Sequence, residues 1–251
     1  MDLSKKLRAI AAMPAFPVLL ALAASHCLND LLQSVITAVY PMLKADMGLD
    51  FAQIGLITLI YQLSASIFQP VVGYVFDKHP FSLSLPAGMC CTAVGIVLFA
   101  CSNTMPGILV AVFTVGLGSA TLHPEASRIT SLAGHSRRGL AQSVFQVGGN
   151  FGGSIGPLLV AIIVAPYGRI YVLWFLVAVI LCFWAMSPIC KWYKNYLQTR
   201  SQQVGATGHK LHMPLSKTAT IMTIGVIIIL IFSKYIYMAS LQSYYTFYLI
   251  D

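Results

Sequence analysis

The sequence predicts an all-α integral membrane protein. Of its 251 residues, 58% are hydrophobic and 9% are charged, and the mean hydropathy is +0.80. A soluble domain needs about a quarter of its residues to be charged. Apolar runs of about 18 residues or more recur along the chain, which is long enough to span a bilayer. Because backbone in lipid must form its own hydrogen bonds, we expect each run to be a helix.

Seven such runs can be drawn, here called span one to span seven. They cover about residues 14–41, 52–76, 83–101, 108–132, 140–165, 170–190 and 218–248. The one long connection, residues 191–217, is polar and lacks an apolar period, which is typical of a linker. We therefore expect a six-span bundle at 1–190, a linker at 191–217 and a further span at 218–251.

The basic residues lie mostly on one side of the predicted membrane. If the N-terminus is placed inside, only Lys44 and Arg169 of the 15 Lys and Arg residues fall outside, while Arg128 and Lys234 lie within spans. This bias predicts a cytoplasmic N-terminus and a cytoplasmic linker. It also accounts for the formal net charge of +8 without a nucleic-acid partner.

Span four carries His123, Glu125 and Arg128 close together. Lipid offers no partner to a charge, so these side chains must face protein or a water-filled path. Glu125 and Arg128 lie three residues apart and could neutralise each other as a structural pair. In that case His123, on the opposite face, is the candidate for lining a cavity.

A polar stripe runs along one face of span one at three- and four-residue intervals, formed by His26, Asn29, Asp30, Gln33 and Thr37. Part of this stripe should face a cavity, although Asn29 and Gln33 could instead make ordinary hydrogen bonds between helices. Asp30, His26, His123 and Glu125 are titratable at membrane depth, which makes a proton relay feasible.

Span seven carries a cation, Lys234, with Tyr237 on the same face. A cation beside aromatic side chains suits an anionic ligand, so these two residues and Gln33 are candidate substrate-binding residues. The sequence has no nucleophile–base spacing, phosphate loop or metal-ligand cluster. We therefore expect neither an enzyme nor a metal or cofactor site.

The connection between spans two and three holds Gly73-Tyr74-Val75-Phe76-Asp77-Lys78. It resembles the GxxxD(R/K) signature at the same place in the major facilitator superfamily, where this loop acts as an inner gate. The resemblance implies gate roles for Gly73, Asp77, Lys78 and Arg128. An acid at a helix C-terminus opposes the helix dipole, so we expect Asp77 to have a basic partner, either Arg128 or Arg137. A solvated loop acid is the alternative interpretation of Asp77.

Span five contains a glycine-rich segment, Gly148-Gly149-Asn150-Phe151-Gly152-Gly153-Ser154-Ile155-Gly156-Pro157. Small residues at this spacing let helix backbones approach closely. The segment resembles the one in span five of facilitator-superfamily antiporters, and Asn150 within it is a further candidate substrate-binding residue. Ordinary helix packing is the alternative.

Three further segments resemble the fosmidomycin-resistance type of drug exporter in that superfamily. They are Leu-Asn-Asp-Leu-Leu-Gln-Ser in span one, His-Pro-Glu-Ala-Ser-Arg in span four and Ser233-Lys234-Tyr235 in span seven. The resemblance implies a bacterial inner-membrane exporter that moves a small, anionic drug outward by alternating access in exchange for protons. That family has twelve spans, so we expect a chain truncated after the first span of its C-terminal bundle, with the missing half needed for transport.

Two other functions stay open at this point. An importer of an organic anion could use Lys234 and Arg128 as its site. A six-span bundle with one extra span also lacks the opposing bundle that alternating access requires, so the chain could be a non-transporting fragment or a membrane-embedded binding subunit.

Overall fold

A computed structural model describes residues 15–204 and 216–250, and this part of the chain is helical with no strands. Seven helical segments within it are long and apolar enough to cross a membrane. They are Phe16–Met47, Phe51–Lys78, Ser84–Cys101, Met105–Ala133, His135–Val164, Arg169–Thr199 and Thr218–Met238. The all-α membrane fold with seven spans is thereby confirmed.

Spans one and two are joined by a turn that the local sequence specifies. The helix Phe16–Ala38 is followed after Val39 by the helix Tyr40–Met47, whose Pro41 lies in the first turn, where its missing N–H is no loss. Gly48 ends it with φ +64°. Asp50 then caps span two, because its carboxylate accepts from the Gln53 N–H at 2.7 Å while the Gln53 side chain accepts from the Asp50 N–H at 2.9 Å.

Span six continues beyond its predicted end at Cys190, since the helix runs from Leu176 to Val204. Tyr193 is fully buried, and the ring of Trp192 stacks on that of Tyr196 at 5.5 Å. Aromatic packing therefore extends the helix where hydropathy falls. The chain divides into two compact units at Leu197–Gln198, and the second unit contains the helix Lys217–Ile250.

Span four lies at the centre of the first unit. Its helix, Met105–Ala133, packs against span three and span two over much of its length, and also contacts spans one and five. Span one packs mainly against span five. A polar side chain on the inner face of span one or span four is therefore enclosed by protein rather than by lipid.

Glycines bring the backbones of spans one and five into contact. A Cβ atom at Gly152 would overlap the carbonyl of Cys27, and one at Gly148 would overlap the carbonyl of Ala23. Gly153, next along the chain, has nothing within 4 Å of the place where its Cβ would lie. The glycine-rich segment thus has one face that must lack side chains and one that need not.

We expect Gly152→Ala to destabilise the first unit by about 1–3 kcal/mol, as overpacking typically does, because the obstructing atoms are backbone and cannot rotate away. Unfolding of the purified chain in increasing SDS measures this. Gly153→Ala adds the same methyl group to the same helix and should be nearly neutral. Equal effects of the two substitutions would contradict the packing described here.

Arg169 joins the start of span six to the end of span three. Its guanidinium donates to the carbonyls of Phe99, at 2.9 Å, and Ser102, and to the Asn103 side chain at 2.6 Å. The residue is only 9% exposed. It satisfies carbonyls that the helix Ser84–Cys101 leaves without partners at its C-terminus.

Candidate functional site

Asp30 lies between two histidines from different spans. Its Oδ2 is 3.2 Å from His26 Nε2, and its Oδ1 is 3.3 Å from His123 Nε2. The His26 side chain is 2% exposed, and those of Asp30 and His123 are 23% and 28% exposed. We call these three residues the His–Asp–His cluster.

Each member of the cluster is held by its helix and by neighbouring helices. His26 and Asp30 are four residues apart on span one and share a face. The His26 ring stacks on Phe145 of span five at 4.0 Å and meets the His123 ring edge to face at 5.2 Å. The cluster therefore links spans one, four and five.

Gly149 of span five leaves the space that the cluster occupies. A Cβ there would come within 2.6 Å of both His26 Nε2 and Asp30 Oδ2. Any side chain at this position would separate the histidine from the carboxylate. The glycine-rich segment, predicted as a packing surface, thus also borders the candidate proton site.

The rest of the polar stripe in span one makes contacts of its own. The Asn29 side chain donates to Asp30 Oδ1 at 3.2 Å, and Tyr61 of span two donates to Gln33 Oε1 at 2.5 Å. Asn29 Oδ1 and Gln33 Nε2 are buried without a hydrogen-bond partner among the described residues. This stripe therefore holds one acceptor and one donor whose hydrogen bonding is unsatisfied.

The cluster also has the atoms that a metal site would need. Within the described ranges, His26, Asp30 and His123 are the one group of three such side chains whose ligand atoms lie within 4.8 Å of one another. Sequence spacing could not indicate this group because His123 lies on another span. Hydrogen bonding by itself accounts for the distances within it.

Glu125 does not join the cluster. Its carboxylate, in a residue 2% exposed, accepts from Arg128 Nε at 2.9 Å and Nη2 at 2.7 Å, and from the Ser84 hydroxyl at 3.1 Å. Arg128 also donates to the hydroxyl of Tyr193 on span six. The structural pair considered from the sequence is present, and it ties span four to spans three and six.

The candidate gate residues differ in how well they are held. Asp77 Oδ1 lies 3.8 Å from Arg128 Nε, but the Asp77 side chain is 68% exposed. Lys78 donates to the hydroxyl of Tyr74 at 2.5 Å, and its ammonium lies over the same ring. Gly73 has nothing within 4 Å of a Cβ position. Span two continues as a helix to Lys78, so these residues lie in its last turns and not in a loop as predicted. Asp77 is the candidate among them that contacts span four, through Arg128.

Two of the other candidate substrate-binding residues, Asn150 and Tyr237, are exposed, each in its own unit. Asn150 is exposed and accepts from Gln146 at 3.3 Å. Tyr237 is 65% exposed in the second unit. The side chain of Lys234 lies outside the described residues, so the role predicted for it depends on sequence alone.

Sequence reasoning missed several partners in these networks, chiefly Ser84, Tyr193 and the carbonyl of Phe145. Ser84 begins span three and Tyr193 falls in the segment predicted to be a linker, so neither stood out as a polar residue within a span. A backbone carbonyl leaves no signal in the sequence at all. For Tyr193, the Trp and two Tyr residues between 192 and 196 were the available hint of a continued, packed helix.

Seven membrane-length helices, with ionisable side chains enclosed between spans one and four, define a multi-pass membrane protein with a polar site within the span region. Residues 22–251 match the Major Facilitator Superfamily. The chain belongs to that superfamily.

Two relatives and one solved structure extend this assignment. The chain is 48% identical over 240 residues to the fosmidomycin resistance protein of Escherichia coli K12, covering 96% of this chain and 58% of the relative. It is 40% identical over 190 residues to the uncharacterized MFS-type transporter YfnC of Bacillus subtilis 168, covering 76% and 46%. A crystal structure of a mutant peptide transporter POT in complex with alafosfalin has the same fold, with a TM-score of 0.56, 20% identity, and coverage of 92% and 50%. The chain spans about half the length of these relatives.

Proposed function

We propose that the protein exports a small, anionic, fosmidomycin-like drug across the bacterial inner membrane in exchange for protons. The observation that carries the proposal is the His–Asp–His cluster, in which a carboxylate is enclosed between titratable groups of spans one and four. The 48% identity to a protein named for fosmidomycin resistance supports the choice of drug.

Asp30 is the proposed exchange site because its protonation changes the contacts that join the spans. A carboxylate binds two histidines through charge and hydrogen bonds, whereas a carboxylic acid offers one donor and one carbonyl oxygen. Binding or release of a proton would therefore shift the packing of spans one, four and five between two states. Alternating access requires such a two-state element. The part of the longer relatives that this chain does not cover would supply the opposing half.

The drug would bind beside the cluster rather than on it, since the Asp30 carboxylate repels an anion. The unpartnered Gln33 Nε2 and Asn29 Oδ1 offer polar contacts there. Lys234 remains the proposed counter-ion for the anionic group. Asp77, Arg128 and Glu125 form the proposed inner gate, since the Glu125–Arg128 pair on span four contacts the end of span two.

The proposal is tested with a chimera in which residues 1–251 replace the aligned part of the E. coli relative. Expression in a fosmidomycin-sensitive host should restore resistance, and everted vesicles should accumulate the drug when the lumen is acidic. Residues 1–251 expressed alone serve as the comparison and decide whether this portion transports by itself. Drug movement in the opposite direction in the same vesicles would favour the organic-anion importer.

We further propose that the N-terminus and the segment after span six face the cytoplasm. An alkaline phosphatase reporter inserted within residues 201–208 should be inactive, because this enzyme matures only outside the cytoplasm. The same reporter inserted after Asn103, at the opposite end of the bundle, should be active. Activity at the first position and not at the second would reverse the orientation.

A further inference from the structure

The two histidines of the cluster have their second ring nitrogen fixed by a backbone carbonyl. His26 Nδ1 is 2.9 Å from the carbonyl oxygen of Phe145, and His123 Nδ1 is 3.1 Å from that of Ser119. A carbonyl oxygen can only accept a hydrogen bond, so each Nδ1 carries a hydrogen. The Ser119 hydroxyl also lies 3.2 Å from His123 Nδ1, and its oxygen can accept from the same N–H.

The hydrogen on Nδ1 determines the protonation state of the other ring nitrogen, Nε2, in a neutral histidine. A neutral histidine with hydrogen on Nδ1 has a lone pair on Nε2, and here each Nε2 faces an oxygen of Asp30 at 3.2 or 3.3 Å. Two lone pairs at that distance repel unless a proton lies between them. Each of the two contacts therefore needs a proton of its own.

The two contacts of the cluster can hold zero, one or two protons in all. With no proton in the contacts, the cluster has a net charge of −1 and both contacts are repulsive. With one proton it is neutral, and one contact is a hydrogen bond. With two protons the cluster has a net charge of +1, and each contact joins an imidazolium N–H to the carboxylate, at 3.2 and 3.3 Å.

The surroundings provide little other compensation for the carboxylate. Asn29 donates one hydrogen bond, to Asp30 Oδ1. The other titratable side chains that feel the charge of Asp30 are Cys27 of span one and Tyr61 of span two, and neither can become a cation. Among the described residues, span five presents Gly149 and the Phe145 carbonyl to the cluster, and neither of these titrates.

We propose that the His–Asp–His cluster is a two-proton site, in which both histidines carry exchangeable protons at Nε2 and His26 exchanges its proton only through Asp30. His26 is 2% exposed, whereas Asp30 and His123 are 23% and 28% exposed, so Asp30 separates His26 from water. In the relay step the His26 Nε2–H bond breaks, the proton passes to Asp30 Oδ2, and Asp30 then releases it to water. This inference rests on the proposed function only in giving the protons a role in transport.

The test reads the protonation state directly in the 251-residue chain. The chain is labelled with ¹⁵N-histidine, placed in lipid nanodiscs with EDTA to remove metal ions, and titrated by NMR. The peaks of His26 and His123 are assigned by their loss in His26→Gln and His123→Gln. Both residues should keep a protonated Nδ1 throughout, and both should become doubly protonated in acid.

The number of protons taken up per chain is a second measurement, independent of the NMR titration. Acidification of the unbuffered wild-type sample should take up one more proton per chain than His26→Gln does, because glutamine donates a hydrogen bond without titrating. In Asp30→Asn the doubly protonated form of His26 should disappear at a pH where the wild type shows it, since no counter-ion remains. Asp46→Asn, an exposed carboxylate of the same span, should leave both signals unchanged.

A bare Nδ1 in either histidine, or a titration in which only one of the two gains a proton, would overturn the two-proton site. Where a glutamine variant fails to fold, His26→Asn or His123→Asn supplies the assignment, and the wild-type titration then decides. Because no transport is measured, failure of the exporter proposal shows separately, as a chimera that gives no resistance while its cluster still takes up two protons.

Discussion

Asp30→Asn is expected to reduce drug-dependent proton movement to background in everted vesicles that contain the chimera. Asparagine keeps the shape of the side chain and can still hydrogen-bond to one histidine, but it cannot bind or release a proton. Some drug binding should survive because Gln33 and Asn29 are unchanged. A pH-sensitive dye inside the vesicles measures the proton flux, and equilibrium dialysis measures binding.

The matched control is Asp46→Asn, which makes the same change at an exposed position of span one. It should retain full proton movement. Full resistance of Asp30→Asn at every pH tested would make Asp30 a structural hydrogen-bonding residue. Coupling would then have to be assigned to His123, His26 or Glu125.

Arg128→Met should lower the free energy of unfolding by about 3–5 kcal/mol, the range found when one partner of a buried ion pair is removed. The substitution leaves the 2% exposed carboxylate of Glu125 with the Ser84 hydroxyl as its remaining donor among the contacts described above. It also removes the donor to the Tyr193 hydroxyl. Unfolding of the 251-residue chain in SDS measures the loss.

A second substitution separates the buried charge from the lost packing. In Arg128→Met combined with Glu125→Gln, the buried group is neutral and can still bond to Ser84, so most of the lost stability should return. Arg138→Met, an exposed arginine at the start of span five, should change stability by less than about 0.5 kcal/mol. If Arg128→Met behaved like Arg138→Met, the Glu125 carboxylate would have to be hydrated or neutral.

Much of the fold follows from the sequence because lipid restricts the choices. Hydropathy located all seven spans, and the three-residue separation of Glu125 and Arg128 was enough to anticipate their pairing on one helix. Helical periodicity likewise placed His26 and Asp30 on one face. In each case the interaction is local, within about one turn of helix.

Contacts between different helices could not be predicted from the periodicity within one span. His123 meets Asp30, and Tyr193 meets Arg128, only because particular helices pack side by side, and no periodicity within one span encodes its neighbour. The GxxxG spacing predicted close packing of span five but not that Cys27 and His26 of span one would be opposite it. The helix past Cys190 was missed because its stability comes from buried Tyr193 rather than from hydropathy.

Arg169 implies an order of assembly for one end of the bundle. In the proposed orientation this arginine is a cation that must cross the membrane during biogenesis, against the usual bias of positive residues. Its partners, the Phe99 and Ser102 carbonyls and the Asn103 side chain, exist as a group only once span three has ended and turned into span four. The hairpin of spans five and six can therefore form the Arg169 hydrogen bonds at this end of the bundle only after the hairpin of spans three and four is in place.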